Sequence, residues 1–486
     1  MLLPENRMSA AFGQFLEDNA MNDNDNLQKT RKKLVGGSVD LTEGAVVATF
    51  FRYAAPLLLM CLLSQLYSAA DSIVLGQFAG KIAFSSVGAV GPIICLIVNA
   101  VISINVGVSV LTARAFGARD GDTTKRIVGT AFIFGIAIGL FICAFGELMA
   151  ANMLRWSNVP DDVYSGALLY LRLYLAGTPA SLYYYMLSPL LSARGDSTRP
   201  LIYMTASGLT NVALNVILVA GFSLDVLGVG VATVVSQYLS AILLTVRLLR
   251  QDGDAKLVLK NVTVDFSLLK KILVLGIPAV VTSACFSLTN LQIQSAVNSF
   301  GADAISGNAA GTQIDGFIFT VFNSLSGAMA TAVGQNLGAG KLQRISNIRR
   351  SIYLIASVSI TVVAWTVILF SEPLLSIFIP GEPEAIVYGE SRLFFILGII
   401  AFYSLSSLNG ATMQAFGKTG LQMVINLVGV CGLRLVWMLF VYPLYKTRVM
   451  LYIAYPISYV VLIIATTIAV EVIIRRYKKR LNTEKI

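Results

Sequence analysis

The sequence predicts an all-α polytopic membrane protein with twelve transmembrane helices, arranged as two six-helix bundles related by a parallel internal repeat. Three observations lead there. Of 486 residues, 56% are hydrophobic and 13% charged, with a mean hydropathy of +0.75, which is more apolar surface than a soluble domain can hide. The chain also divides into twelve apolar stretches of bilayer-crossing length. Finally, landmarks recur about 222 residues apart. Pro56 and Pro278 open the matching stretches, Phe78-Ala79-Gly80 answers Phe300-Gly301-Ala302, Gly117-Ala118 answers Gly338-Ala339, and Ala193-Arg194-Gly195 answers Ala415-Phe416-Gly417.

Taken in order, residues 1–44 are polar and mixed in charge, with no apolar core long enough for a signal peptide, and are expected to form a flexible cytoplasmic tail. The first bundle, 45–250, is expected to span at 46–76, 84–112, 126–148, 163–192, 200–222 and 228–249. The charged stretch 251–266 reads as a cytoplasmic linker between bundles. The second bundle, 267–475, is expected to span at 267–299, 305–336, 347–371, 386–415, 420–444 and 449–474, followed by a basic cytoplasmic tail at 476–486. An even number of spans per half makes the second half enter with the orientation of the first.

Charge tests this map, because Lys and Arg collect on the cytoplasmic side. With both termini inside, the inner segments hold 28 of them and the outer loops four: Lys81, Arg155, Lys446 and Arg448. A multi-pass protein of the cell membrane is therefore expected, monomeric, with its net charge of +10 serving topology and contact with anionic membrane lipids rather than nucleic acid. The five cysteines show no CxxC spacing and the chain has no histidine, which argues against a disulfide framework or a zinc site.

Ionisable groups inside a span are expensive and mark function by default. Asp71 lies about ten residues before Lys81, roughly 15 Å below the outer boundary. Asn215, Asn211 one turn deeper, and Thr233 on the next helix lie at matching depth. Together they can form an oxygen-rich pocket for a proton on Asp71 or for a small hard cation such as Na⁺. Equally, the amides and the hydroxyl can bond across packed helices. The repeat puts Ile293 opposite Asp71, so the second bundle has no matching acid.

On that seventh span Asn290, Gln294 and Asn298 make a polar stripe at i, i+4, i+8, facing either the central cleft or a neighbouring helix. Asp315 falls near mid-membrane, where it can meet a cationic substrate or be neutralised by Arg434. Aromatics including Tyr67, Tyr174, Tyr183, Tyr184, Tyr185, Phe286, Phe317, Phe322 and Tyr403 suffice to line a cavity for organic cations, although packing or interfacial anchoring is the more common fate of any single ring. Residues 334–341 lack the Gly and Ser or Thr of a phosphate loop, so no ATP site is expected, and without histidine a catalytic centre is hard to assemble.

Across roughly residues 45–475 the chain resembles the multidrug and toxic compound extrusion (MATE) family. The resemblance rests on Pro56 with Asp71 and Gly76, the run 195–200 (Gly-Asp-Ser-Thr-Arg-Pro), Asn211 with Asn215, the run 228–233 ending in Thr233, Pro278, the run 333–339 and Ala415-Phe416-Gly417. It implies a twelve-helix antiporter, not an enzyme, that expels cationic or amphipathic drugs in exchange for H⁺ or Na⁺ and needs no cofactor. It also implies an ion site at the positions of Asp71, Asn211, Asn215 and Thr233; Asp315, Asn290, Gln294, Asn298, Tyr67 and Tyr184 are expected in the substrate cleft from the residues themselves. The chain departs from the family's pattern at Asn215, where a second Asp is common, and in lacking acids on the seventh span. The alternative is a lipid-precursor or oligosaccharide flippase of the related superfamily, which a basic cleft would favour; Arg172 and Arg434 are the cations that bear on it.

Overall fold

A computed structural model describes residues 39–74, 78, 80–157, 159–251, 256–258 and 262–483, and among them every regular element is a helix. The first bundle comprises α1 (Val46–Val74), α2 (Gly80–Gly117), α3 (Gly121–Trp156), α4 (Asp161–Ser192), α5 (Thr198–Asn215) and α6 (Asp225–Arg250). The second comprises α7 (Phe266–Asn298), α8 (Ala302–Gly338), α9 (Leu342–Leu369), α10 (Pro383–Leu397), α11 (Ile400–Ala415), α12 (Thr419–Asn426) and α13 (Ala454–Thr483). Among the described residues ten helical segments are long and apolar enough to cross a membrane, and α10 with α11, bent by 48°, makes an eleventh. The twelfth is α4, whose 32 residues include six tyrosines, two prolines and Arg172 and so dilute its apolar content.

Lipid is the solvent these helices expect. On α9 the inward face is Ile345, Ile348, Ile352, Ala356, Ile360 and Ala364, all buried, yet the outward face is equally apolar: Leu354, Val358, Val362 and Leu369 are 67%, 55%, 60% and 77% exposed. A helix apolar all round cannot face water. Several ends differ from expectation because capping, not apolarity, sets them. The expected 126–148 becomes Gly121–Trp156, since Asp120 caps α3 by accepting from the Thr123 N–H at 3.0 Å. A short helix at Ser371–Ser376 also enters an expected outer loop, and another at Arg448–Tyr452 opens the expected last span ahead of α13.

The two bundles touch as the repeat dictates. With α1 matching α7 and α2 matching α8, the contacts of α1 on α8 and of α7 on α2 are equivalents, and α2 meets α8 across the pseudo-two-fold. There the backbones meet closely: a Cβ on Gly117 would lie 1.9 Å from the Gln335 carbonyl oxygen, and one on Gly338 would lie 2.1 Å from that of Arg114. The side chains cross over in the same way. Arg114 Nε donates to the Ala415 carbonyl at 2.8 Å, and Gln335 Nε2 donates to that of Ala193 at 2.8 Å. The turns bearing these two carbonyls each end on a left-handed glycine, Gly195 at φ 92° and Gly417 at φ 71°, a conformation that disfavours any side chain.

The end rich in Lys and Arg is thereby closed, and an irregular segment ahead of α1 completes the seal. Residues 39–44 do not behave as the expected free tail: Leu41 is 2% exposed, with its N–H on Gln335 Oε1 at 3.1 Å and its carbonyl accepting from Asn336 Nδ2 at 3.0 Å. Lys341 Nζ donates to the Thr42 carbonyl at 3.0 Å, while the Val39 N–H reaches the Gly195 carbonyl of the first bundle at 3.0 Å. The segment is held because its backbone groups find partners on both bundles. Residues 1–38 of the expected tail lie outside the described residues.

Candidate functional site

The second bundle encloses a cavity of about 550 Å³. On α8, Asn308 and Asp315 stand two turns apart on one inward face, and both are buried. The α10 helix, started by Pro383 at its first turn, carries Arg392 inward to meet them. Arg392 Nε and Nη2 donate to Asp315 Oδ2 at 3.0 and 2.8 Å, and Nη1 donates to Asn308 Oδ1 at 3.0 Å. Asn308 Oδ1 also accepts from the Tyr452 hydroxyl at 3.1 Å, and Asn308 Nδ2 donates to Gln294 Oε1 at 3.0 Å. Gln294 Nε2 in turn donates to Asn298 Oδ1 at 2.9 Å, so the polar stripe of α7 joins the ion pair in one chain of bonds. Burying such a pair is tolerable only when its remaining donors and acceptors are satisfied.

Of the two readings of Asp315, the pairing with Arg434 is corrected: the partner is Arg392. Its place near the outer edge of its span, beside an acidic loop, gave the sequence no reason to flag it. Arg434 sits apart, 3% exposed, in a helical turn (Leu433–Val436) between two π-helical turns that follow α12. Its Nε donates to Ser458 Oγ at 3.0 Å and its guanidinium lies 4.0 Å over the Tyr455 ring and 5.6 Å from that of Tyr459. Tyr455, Ser458 and Tyr459 form an i, i+3, i+4 face of α13, the signal that sequence reading passed over. Arg172, the other cation read as intramembrane, is half-exposed and lies 3.7 Å from Glu147 on α3.

Of the residues expected in the cleft, Asp315, Asn290 and Gln294 line this cavity, as do Phe286 and Tyr403. Gln65 of α1 also lines it, so the cavity faces the junction of the bundles. Asn298 is exposed and reaches the site only through Gln294. Tyr67 belongs to the first bundle, where its ring lies against Gly208: a Cβ there would be 2.2 Å from the ring. Tyr184 does not reach the cleft. It is buried in the first bundle's core with its hydroxyl on the Pro200 carbonyl at 3.1 Å, because α4 packs on α2, α3 and α6 at once and turns its tyrosines inward. Phe322 is likewise a fully buried core residue, against Phe319 and Tyr403.

In the first bundle Asn211 and Asn215 are buried, with Asn215 Nδ2 donating to Asn211 Oδ1 at 3.3 Å. Thr233 is half-buried on α6, and its hydroxyl donates to the Val229 carbonyl of its own helix at 2.8 Å. Asp71 belongs to α1, but its side chain lies outside the described residues. The helices themselves are in register: α1 packs on α5, both run outward from the basic end, and Asp71 and Asn211 each stand about one turn beyond the Tyr67–Gly208 contact. Among the described residues no group of three His, Cys, Asp or Glu side chains is placed to hold a metal ion.

A profile of the MatE family matches residues 56–217 and 278–439, two segments of equal length that start at the repeat-related prolines. A probable multidrug resistance protein of Bacillus subtilis, YoeA, is 26% identical over 391 residues, covering 78% of this chain and 83% of its own. Another, NorM of Thermotoga maritima, is 25% identical over 379 residues, covering 77% and 81%. Among solved structures, the crystal structure of MATE in the bent conformation superposes with a TM-score of 0.83 at 20% identity, covering 91% of this chain and 98% of that one. An outward-facing multidrug resistance MATE transporter of the MOP superfamily superposes at 0.81 with 18% identity, covering 90% and 98%. At such identities the superpositions establish the fold.

Proposed function

This chain belongs to the MatE family, and from that premise we propose that it is a secondary exporter that expels small amphipathic organic molecules across the cell membrane in exchange for H⁺ or Na⁺. The observation that carries the reading is the 550 Å³ cavity facing the bundle junction in a molecule whose basic end is sealed by reciprocal, repeat-related contacts. A seal built twice from equivalent parts supports two bundles that rock about a shared axis and open one side at a time. The relatives named as multidrug resistance proteins support an organic substrate.

We assign coupling to Asp71, with Asn211, Asn215 and Thr233 supplying neutral oxygens around it. A cation entering from outside binds there and biases α1 and the first bundle toward one of two arrangements; the bias equals the difference in its affinity for them. Both termini then lie in the cytoplasm, with 45–250 and 267–475 as the moving units and 251–266 as the link. A cationic substrate is not assigned to Asp315, because Arg392 already occupies that carboxylate. The test is accumulation of a fluorescent amphipathic dye in proteoliposomes with a pH gradient and a Na⁺ gradient imposed separately. Uptake against the dye gradient under one of them is expected; downhill equilibration unaffected by either would reject antiport.

A further inference from the structure

We infer that the cavity of the second bundle takes an organic anion, a flat apolar body carrying one carboxylate. The inference rests on the export reading for its role and deepens it by naming the charge of the substrate.

Among the described residues, three side chains that carry charge at neutral pH line the cavity: Asp315, Arg392 and Arg434. Asp315 and Arg392 cancel, with two N–H donors converging on one carboxylate oxygen. Arg434 remains, and a guanidinium does not lose its proton in a protein. The net charge facing the cavity is thus positive, inside a low-dielectric bundle where one uncompensated charge is felt strongly. An incoming cation finds its one carboxylate taken and a like charge beside it. An incoming carboxylate finds a counter-ion.

The setting of Arg434 also fits a carboxylate by shape. One face is covered by the Tyr455 ring at 4.0 Å, and Nε is fixed by Ser458, whose own hydroxyl is anchored on the Tyr455 carbonyl at 2.7 Å. Among the described residues its terminal nitrogens donate no hydrogen bond and no carboxylate pairs with it, although the residue lines the cavity. A guanidinium anchored at Nε and against an aromatic ring, with its terminal donors unused, is a preorganised fork for a planar anion. Phe286, Phe319 and Tyr403 also line the cavity and offer apolar surface for a ring.

The test uses the full-length protein in phosphatidylcholine nanodiscs and three probes of one shape: 1-naphthoate, 1-naphthylmethanol and 1-naphthylmethylammonium. Equilibrium binding is read from naphthyl fluorescence. Naphthoate is expected to bind at least tenfold more tightly than the ammonium probe, Arg434→Gln to erase that preference, and Arg434→Lys to keep its sign. Equal or tighter binding of the ammonium probe, no saturable binding of any probe, or an unchanged preference in folded Arg434→Gln would each overturn the inference. The comparison among probes on the unaltered protein needs no variant, so misfolding of Arg434→Gln cannot rescue or sink it. Naphthoate affinity is expected to persist when phosphatidylglycerol replaces part of the lipid; loss by competition would give the site to a lipid head group and overturn the organic-anion assignment. Binding in nanodiscs requires no transport. A protein that prefers naphthoate yet accumulates nothing in proteoliposomes rejects the export reading alone, and one that accumulates the dye but binds the ammonium probe better rejects the anion alone.

Discussion

Asp315 and Arg392 show how a single pairing decides what a cavity can do. Removing one member of a buried pair strands the other, at a cost of about 3–5 kcal/mol, whereas replacing both by apolar residues is often close to neutral. Asp315→Asn is therefore expected to lower the thermal unfolding midpoint in detergent sharply, and Asp315→Leu with Arg392→Met to restore most of it. A double variant as unstable as the sum of its single changes would mean that the two do not act as a pair. The acid was legible in the sequence because a carboxylate deep in an apolar stretch is rare. Its partner was not, since which of several arginines meets it depends on the rotation of α10 and of the turn Leu433–Val436 about their axes, and no spacing along one helix encodes that. Tyr184 failed for the same reason, its direction being set by three neighbouring helices.

At the scale of elements, the spans themselves were readable from composition, and their ends were not, because those are set by caps and turns. Asp265 is such a case: its carboxylate caps α7 by accepting from the Ser267 and Leu268 N–H groups and pairs with Arg126 of α3, while its own N–H donates to Thr130. The Leu268 N–H first, and then Arg126, hold this carboxyl below the usual carboxylate range. A depressed value means the contribution is complete above the ordinary range near pH 4 and is lost as pH falls through the lowered one. Asp265→Ala should thus lower the unfolding midpoint at pH 7, with the difference from the unaltered protein shrinking only under acid conditions; a difference that instead grew with acidity would contradict the cap. The α2–α8 crossing makes a second prediction. Gly338→Val has no room for its side chain beside the Arg114 carbonyl, so it should hold the basic end apart and abolish dye accumulation while protein remains in the membrane. Full transport by that variant would show that the close crossing is dispensable.

Over the whole molecule the repeat is the feature that organises everything else, and it was legible from a handful of residues. Prolines, turn glycines and small residues at crossings are the positions that geometry leaves least free, so they survive where the intervening apolar residues drift. What the sequence could not convey is that the bundles trade contacts reciprocally, Arg114 to Ala415 and Gln335 to Ala193, or that residues 39–44 are built into the seal. The orientation that follows from the basic residues is open to a direct check. A cysteine at Ala118 should react with an impermeant maleimide only in inside-out vesicles and one at Ser299 only in right-side-out vesicles; the reverse pattern would invert the topology.

In the proposed cycle a cation on Asp71 drives the exchange between the two arrangements. The most direct measurement compares ion-driven dye accumulation by the unaltered protein and by Asp71→Asn in matched proteoliposomes, with equal amounts of folded protein confirmed in each. Accumulation against the gradient by the first and none by the second is the predicted result; undiminished accumulation by Asp71→Asn would contradict it.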